Sequence, residues 1–103
     1  MNILLMLFLA KLLENNYHFT ITSAKRTIDQ NTACKGAKDS QHLVGEAIDI
    51  KPYGSTSYSD LLTFIQNNYQ GWSPYPYDQL ILYPTFIHIS FSDKMRCRVI
   101  EKR

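Results

Sequence analysis

The sequence predicts a small α+β domain in which a small antiparallel sheet is flanked by helices. Three observations lead to this class. An apolar run occupies residues 2–10, residues 17–23 alternate bulky apolar and polar side chains, and residues 57–60 have the pattern of a helix N-terminus. A chain of 103 residues is long enough for one hydrophobic core and too short for two, so residues 1–103 are predicted to form a single domain.

The N-terminal apolar run has two interpretations. Residues 2–10 could form the apolar core of a secretory signal, but no positive charge precedes them, Lys11 ends the run and no small-residue cleavage pattern follows. We favour an apolar helix that ends at Asn15 or Asn16 and packs onto a sheet. The run is also too short to span a bilayer, so no membrane span is predicted.

The next segments predict a strand, a long loop and a second strand. In the strand at 17–23, Phe19 and Ile21 are expected to face the core. Residues 24–40 are polar and lack sustained periodicity, which predicts a long loop with at most one helical turn. A loop of this length in so small a domain is usually functional. Residues 47–50 should form the second strand.

The second half of the chain predicts a helix and a closing hairpin. The hydroxyl of Ser57 would cap a free backbone N–H, while Asp60 faces the positive end of the helix dipole. The apolar stripe that follows fades near Asn67 and Asn68. Two further strands, at 79–82 and 86–91, are joined by a short turn and complete the sheet.

Charge and cysteine content exclude several classes of function. The formal net charge is only +2, with no basic stripe, so no nucleic-acid partner is predicted. Cys34 and Cys97 lie far apart, which suggests neither a thiolate metal site nor a redox pair. A single disulfide stays open as an alternative, with two idle thiols favoured. We expect a monomer unless the chain is part of a larger assembly.

Three residues suggest a metal site. His42 and Asp49 lie seven apart across Gly45, and His88 lies in the last strand. Two imidazoles and one carboxylate are the ligand count of a catalytic zinc that keeps its fourth position open for water. Strand alternation would turn Asp49 and His88 away from their isoleucine neighbours, so they can converge if the strands are adjacent. Each residue alone is more often an ordinary core or solvated side chain, and spacing alone leaves the question open.

Several segments occur in a recognisable order: Ser-Ala-Lys-Arg-Thr at 23–27, the loop at 36–40, the block Ser40-x-His42-x-x-Gly45-x-Ala47-x-Asp49, Asp-Gln-Leu-Ile at 78–81 and Ile-His-Ile-Ser at 87–90. Together they resemble zinc D-alanyl-D-alanine carboxypeptidases and L-alanyl-D-glutamate peptidases, a group that includes lysostaphin-type peptidases and the hedgehog signalling domain. The resemblance covers nearly the whole chain. It implies a hedgehog/DD-peptidase-like fold with Zn²⁺ bound by His42, Asp49 and His88.

The resemblance also implies an activity. The family hydrolyses peptide bonds in peptidoglycan stem peptides, as carboxypeptidases or as endolysin-type endopeptidases. Arg26 matches the family arginine that binds a substrate carboxylate or carbonyl oxygen, a task suited to two parallel hydrogen bonds, and Ser40 is expected to contact substrate. By analogy, so compact a form suits a phage lysis or virion protein that acts at the bacterial cell wall.

One position departs from the family pattern. Where relatives typically carry a glutamate, the general base or acid at the metal-bound water, this chain has Tyr83. A tyrosine with the ordinary pKa of about 10 is a poor base at neutral pH, although it can donate a hydrogen bond to an oxyanion. Glu46, Asp78 and Asp93 lie at positions that do not suggest an obvious substitute.

Three hypotheses follow from these residues. The first, which we favour, is a zinc peptidase in which Tyr83 or a displaced acid replaces the glutamate. The second is a zinc-retaining domain that has lost hydrolysis and binds cell-wall peptide or has a structural role. The third, a metal-free packing module, is disfavoured because all three predicted ligands are present.

Overall fold

The computed structural model describes residues 2–26 and 46–103 and has the predicted α+β class. In chain order the described elements are α1 (Ile3–Glu14), β1 (Phe19–Arg26), β2 (Glu46–Pro52), α2 (Tyr58–Asn68), β3 (Gln79–Leu82), β4 (Ile87–Phe91) and β5 (Arg98–Glu101). The strands form one sheet with the order β1-β2-β4-β3-β5.

The prediction of a wholly antiparallel sheet is wrong at one edge. The first four strands pair antiparallel, but β5 runs parallel to β3. The β5 sequence, Arg-Val-Ile-Glu, is short and half charged, so it carries little strand signal. Backbone hydrogen bonds at its two ends hold it in place: Arg98 N–H donates to the Asp78 carbonyl at 2.9 Å and Lys102 N–H donates to the Leu82 carbonyl at 2.8 Å.

The core lies between the two helices and one face of the sheet. In β4, Ile87, Ile89 and Phe91 are completely buried, as the alternation of that strand predicted. Full burial of a side chain of this size contributes about 1.5–3 kcal/mol. The helices, the other strands and the segment just before β3 supply the remaining core residues: Leu4, Leu5, Phe8, Leu12, Ile48, Ile50, Leu61, Phe64, Ile65, Tyr77, Leu80 and Leu82.

Both helices begin at capping residues. Asn2 Oδ1 accepts the Leu5 N–H at 2.9 Å at the start of α1, which ends at Glu14 with Asn15 as its C-cap. The predicted cap of α2 is confirmed as a capping box, because Ser57 Oγ accepts the Asp60 N–H and the Asp60 carboxylate accepts the Ser57 N–H. In the described ranges, no helix is both long and apolar enough to cross a membrane.

The first strand differs from its prediction in length and in phase. It continues to Arg26, into the segment predicted as a loop; residues 27–40 of that segment lie outside the described residues. The register shifts between Ile21 and Ser23, which makes Thr22 the extra residue of a β-bulge. Phe19 packs against the core as predicted, but Ile21 is 43% exposed because β1 forms the edge of the sheet.

An ion pair between the buried Asp78 carboxylate and the partly exposed Arg96 guanidinium holds the turn between β4 and β5. The Asp78 carboxylate accepts hydrogen bonds from Arg96 Nε at 2.7 Å, from Arg96 Nη2 at 3.0 Å and from the Arg96 backbone N–H at 3.2 Å. In the same turn, Met95 and Cys97 adopt positive φ angles of 44° and 54°, which residues with a Cβ rarely adopt. Burial would raise the pKa of Asp78, but hydrogen bonds from Arg96 and Ser92 and the charge of Arg96 outweigh it and lower that pKa.

Acid is expected to weaken this ion pair. Because the pKa of Asp78 is lower in the folded chain than in the unfolded chain, its stabilisation is complete above the unfolded pKa of about 4 and is lost as the pH falls through the folded value. Urea unfolding should therefore show a larger stability difference between wild type and Asp78→Asn at about pH 7 than at about pH 2. Equal differences at the two pH values would contradict this linkage.

Candidate metal centre

Asp49 and His88 meet on the sheet face that does not contact the helices. The register places them directly opposite each other on β2 and β4. His88 Nδ1 lies 2.7 Å from Asp49 Oδ1, and the two side chains are 16% and 11% exposed. An imidazole nitrogen and a carboxylate oxygen are donors that zinc accepts. The pair therefore fits two of the three positions of the predicted metal site.

A bulge brings Ser23 into the same row of side chains. Ser23 stands opposite Asp49, although the regular alternation of β1 would have placed it in the other phase. The extra residue, Thr22, changes the phase, and its hydroxyl donates to the Asp49 carbonyl at 3.3 Å. Sequence reasoning missed Ser23 as a site residue. Its place at the start of the Ser-Ala-Lys-Arg-Thr block was the available signal.

Tyr83 and Phe86 form the next pair on this face, at the tip of the β3–β4 hairpin. Ile81 stands opposite His88, Tyr83 follows Ile81 by two residues, and Phe86 precedes His88 by two. Because alternate residues share a face, both rings lie on the side of the Asp49–His88 pair. Their ring centroids are 4.5 Å apart with 13° between the planes. Tyr83 thus lies next to the cross-strand pair of Ile81 and His88, on the side of the hairpin tip.

The face is different on the other side of the Asp49–His88 pair. There Ala47 stands opposite Ser90, and Gln79 stands opposite Ser90 on the next strand. Ser90 Oγ accepts the Gln79 N–H at 3.0 Å, and both Ala47 and Ser90 are 2% exposed. The Asp49–His88 pair therefore separates an aromatic region at the hairpin tip from a region of small and polar side chains.

The described carboxylates give no clear replacement for the missing glutamate. Residues 2–26 and 46–103 contain six side-chain carboxylates besides Asp49, and four of them, Glu14, Asp60, Asp93 and Glu101, are exposed. Glu46 accepts the backbone N–H of Asn2 at the start of α1. Asp60 caps the α2 N-terminus, Asp78 pairs with Arg96 and Glu101 pairs with Arg103. The carboxylates of Glu46 and Asp78 are therefore committed to other contacts.

Of the three remaining predicted site residues, the structure describes the position of Arg26 alone. Arg26 is the last residue of β1, and its register partner is Glu46. His42 and Ser40 lie outside the described residues. Within the described ranges, no three histidine, cysteine, aspartate or glutamate side chains form a metal-binding group. In that part of the chain the site consists of two candidate ligands.

Comparison with known families places the chain. A family model described as Peptidase M15 matches residues 4–90, a range that contains His42, Asp49, Tyr83 and His88. No curated protein and no solved structure matches the chain. The family match confirms the resemblance to zinc D-alanyl-D-alanine carboxypeptidases. The chain therefore belongs to the peptidase M15 family and carries a peptidase-like domain.

Proposed function

We propose that this chain is a zinc-dependent peptidase that hydrolyses peptide bonds in peptidoglycan stem peptides, as a D-Ala-D-Ala carboxypeptidase or an endolysin-type endopeptidase. The contact between Asp49 and His88 carries this proposal, because it joins two candidate metal ligands from separate strands within the family match. Peptidases of this family usually depend on zinc. A phage lysis or virion protein acting at the cell wall fits this activity.

The metal would be held by His42, Asp49 and His88. When bound, zinc would polarise the scissile carbonyl and lower the pKa of a coordinated water to about 7. The chain contributes the orientation of its ligands. Asp49 Oδ1 lies at hydrogen-bond distance from His88 Nδ1, and the low exposure of both side chains restricts their movement. His88 is thereby oriented before metal or substrate arrives.

Substrate binding is assigned to Arg26 and Ser40. The guanidinium of Arg26 stays charged and can donate two parallel hydrogen bonds to a carboxylate, which suits the terminus of a stem peptide. Ser23 adds a half-buried residue with a hydroxyl opposite Asp49. These side chains would orient the peptide, which lowers the entropic part of the barrier.

Tyr83 is proposed to act as a hydrogen-bond donor toward the developing oxyanion. A phenol at neutral pH donates a proton to a hydrogen bond far more readily than it removes one from water. The stack with Phe86 and the 3.1 Å hydrogen bond from Tyr83 N–H to the Phe86 carbonyl hold the tyrosine in one arrangement. A donor that is fixed in advance is the kind that stabilises a transition state.

The contacts that Glu46 and Asp78 already make favour a second function. Glu46 and Asp78, two acids that could have replaced the glutamate, have partners elsewhere. Without a general base, the same site would retain zinc and bind cell-wall peptide without cleaving it. This second function shares the metal site of the first and differs only in turnover.

Mass spectrometry separates the two functions. Zinc-loaded protein is incubated with purified stem peptides, and the products are analysed for new amino termini and released D-alanine. We expect cleavage. Binding without cleavage would support the second function, while neither binding nor cleavage would contradict both.

Removal of the tyrosine hydroxyl is expected to lower turnover. Tyr83→Phe keeps the ring and its stack but removes the donor, so kcat should fall about 100-fold with a smaller change in KM. Tyr75→Phe is a matched control, because Tyr75 is exposed and lies beside α1. An unchanged kcat in Tyr83→Phe would exclude catalysis by the phenol. If the wild type is inactive and Tyr83→Glu creates activity, the second function would be established.

A further inference from the structure

We infer that Lys51 binds a carboxylate of the peptide ligand beside the Asp49–His88 pair, so that the site selects anionic peptides. This inference rests on the proposed function and adds a specificity-determining residue to it. Lys51 is neither a proposed metal ligand nor one of the residues already assigned to substrate binding.

Lys51 lies on the same face of the sheet as the Asp49–His88 pair. It follows Asp49 by two residues on β2, and alternate residues of a strand share a face. Ile50, which lies between them, is completely buried on the other face. At about 3.4 Å per residue, the Cα atoms of Asp49 and Lys51 are about 7 Å apart. The ammonium group on its flexible four-carbon stem can therefore reach a ligand that is held at the pair.

No ionic partner holds Lys51 in the part of the chain that the structure describes. The residue is exposed, and none of the ion pairs among the described residues includes it. The ring of Phe86, which lies nearby on the adjacent strand, stacks on Tyr83. An incoming carboxylate would therefore not have to displace another anion from the ammonium group.

Two further cations lie on this face, at its β5 edge. Ile81 stands opposite His88 on one side and beside Ile100 on the other, so the three residues share the face. Alternation from Ile100 places Arg98 and Lys102 there too, and both are exposed. Because β5 is two strands away from β4, or about 10 Å, Lys51 is the nearest of the three cations to the metal ligands.

Asp49 is the one carboxylate that the described strands place on this face. Glu46 and Glu101 have the opposite phase, since Glu46 contacts the start of α1 and Glu101 stands beside the buried Leu82. The face thus carries more cations than carboxylates, and an excess of positive charge attracts anionic ligands. Stem peptides have two sources of a carboxylate, the D-glutamate residue and the C-terminus.

Two pairs of stem peptides test the role of Lys51 and distinguish these sources. One pair differs only in a carboxylate or a carboxamide on the D-glutamate residue, and the other pair differs only in a carboxylate or a carboxamide at the C-terminus. Zinc-loaded full-length protein is titrated by calorimetry, or kcat/KM values are compared where the peptides are cleaved. In one of the pairs, wild type should prefer the acid about fivefold, the upper end of the range for an exposed ion pair.

Substitution of Lys51 should remove this preference. Lys51→Met is expected to reduce the ratio to about two or less, whereas Lys51→Arg retains the charge and should retain the ratio. Raising the salt concentration from about 0.01 M to about 1 M should lower the wild-type ratio, because the Debye length falls from about 30 Å to about 3 Å. Loss of the ratio in the first pair assigns the carboxylate to D-glutamate, and loss in the second pair assigns it to the C-terminus.

A second lysine on the same face is the matched control. Lys102→Met removes an identical exposed side chain at the β5 edge and should leave the ratio unchanged. Zinc content and circular dichroism show that each variant is folded. Equal affinity for acid and amide in both pairs, an undiminished ratio in folded Lys51→Met, or an equal loss in Lys102→Met would overturn the role of Lys51 and leave the proposed function standing. No binding of any stem peptide by zinc-loaded wild type would overturn both.

Discussion

Replacement of His88 by alanine is expected to abolish zinc binding. Metal analysis of purified wild type should find about one zinc per chain, and the variant should contain almost none. The physical reason is the small number of protein ligands: with three proposed, removal of one leaves two, and the Asp49 carboxylate also loses its 2.7 Å contact with the imidazole. Asp49→Ala and His42→Ala should have the same effect.

A second histidine provides the matched control. His18 is exposed, and its ring centroid lies 5.5 Å from that of Tyr53, while its backbone N–H donates to Thr56. His18→Ala should therefore retain about one zinc per chain. Equal zinc loss in the His18 and His88 variants would show a general effect on folding. A folded wild type that never binds zinc would contradict the proposed metal centre.

Replacement of Arg96 by alanine is expected to lower the free energy of unfolding by about 2 kcal/mol, less than for a fully buried ion pair because solvent screens the partly exposed guanidinium. The Asp78 side chain is only 4% exposed and would lose its two guanidinium donors, while the hydrogen bonds from the backbone N–H of residue 96 and from Ser92 would remain. The turn with Met95 and Cys97 at positive φ would lose two of its hydrogen bonds to Asp78. Urea unfolding at neutral pH measures the change.

The pair of Arg103 and Glu101 is the control for this experiment. It has a similar two-pronged geometry, since Arg103 Nε and Nη2 both donate to the Glu101 carboxylate, but both side chains are largely exposed. Water already solvates these charges, so Arg103→Ala should change stability little. A loss as large as that of Arg96→Ala would show that burial of Asp78 is not the cause.

Local sequence patterns predicted much of this fold. The alternation of β4 placed Ile87 and Ile89 in the core and His88 on the other face, because a strand has only two faces. The capping box of Ser57 and Asp60 was equally predictable, since both partners lie within one helical turn. Such signals depend on neighbours in sequence and can be read without the fold.

Errors arose where contacts depend on distant parts of the chain. β5 has weak strand propensity and is held by β3, so its parallel pairing had no local signal. The bulge at Thr22 changed the phase of β1 beyond Ile21 and brought Ser23 opposite Asp49, and Ile21 is exposed because β1 is an edge strand. The pairing of Asp78 with Arg96, which lie 18 residues apart along the chain, was also not predicted.

By itself, the sequence determined the family, through the order of its blocks, and the candidate ligand set of His42, Asp49 and His88. Tertiary structure alone decided that Asp49 and His88 stand side by side and that Tyr83 stacks on Phe86 next to them. The physical reason is sheet order: β2 and β4 are adjacent although α2 and β3 separate them along the chain, and that adjacency follows from the shared core and not from local propensity.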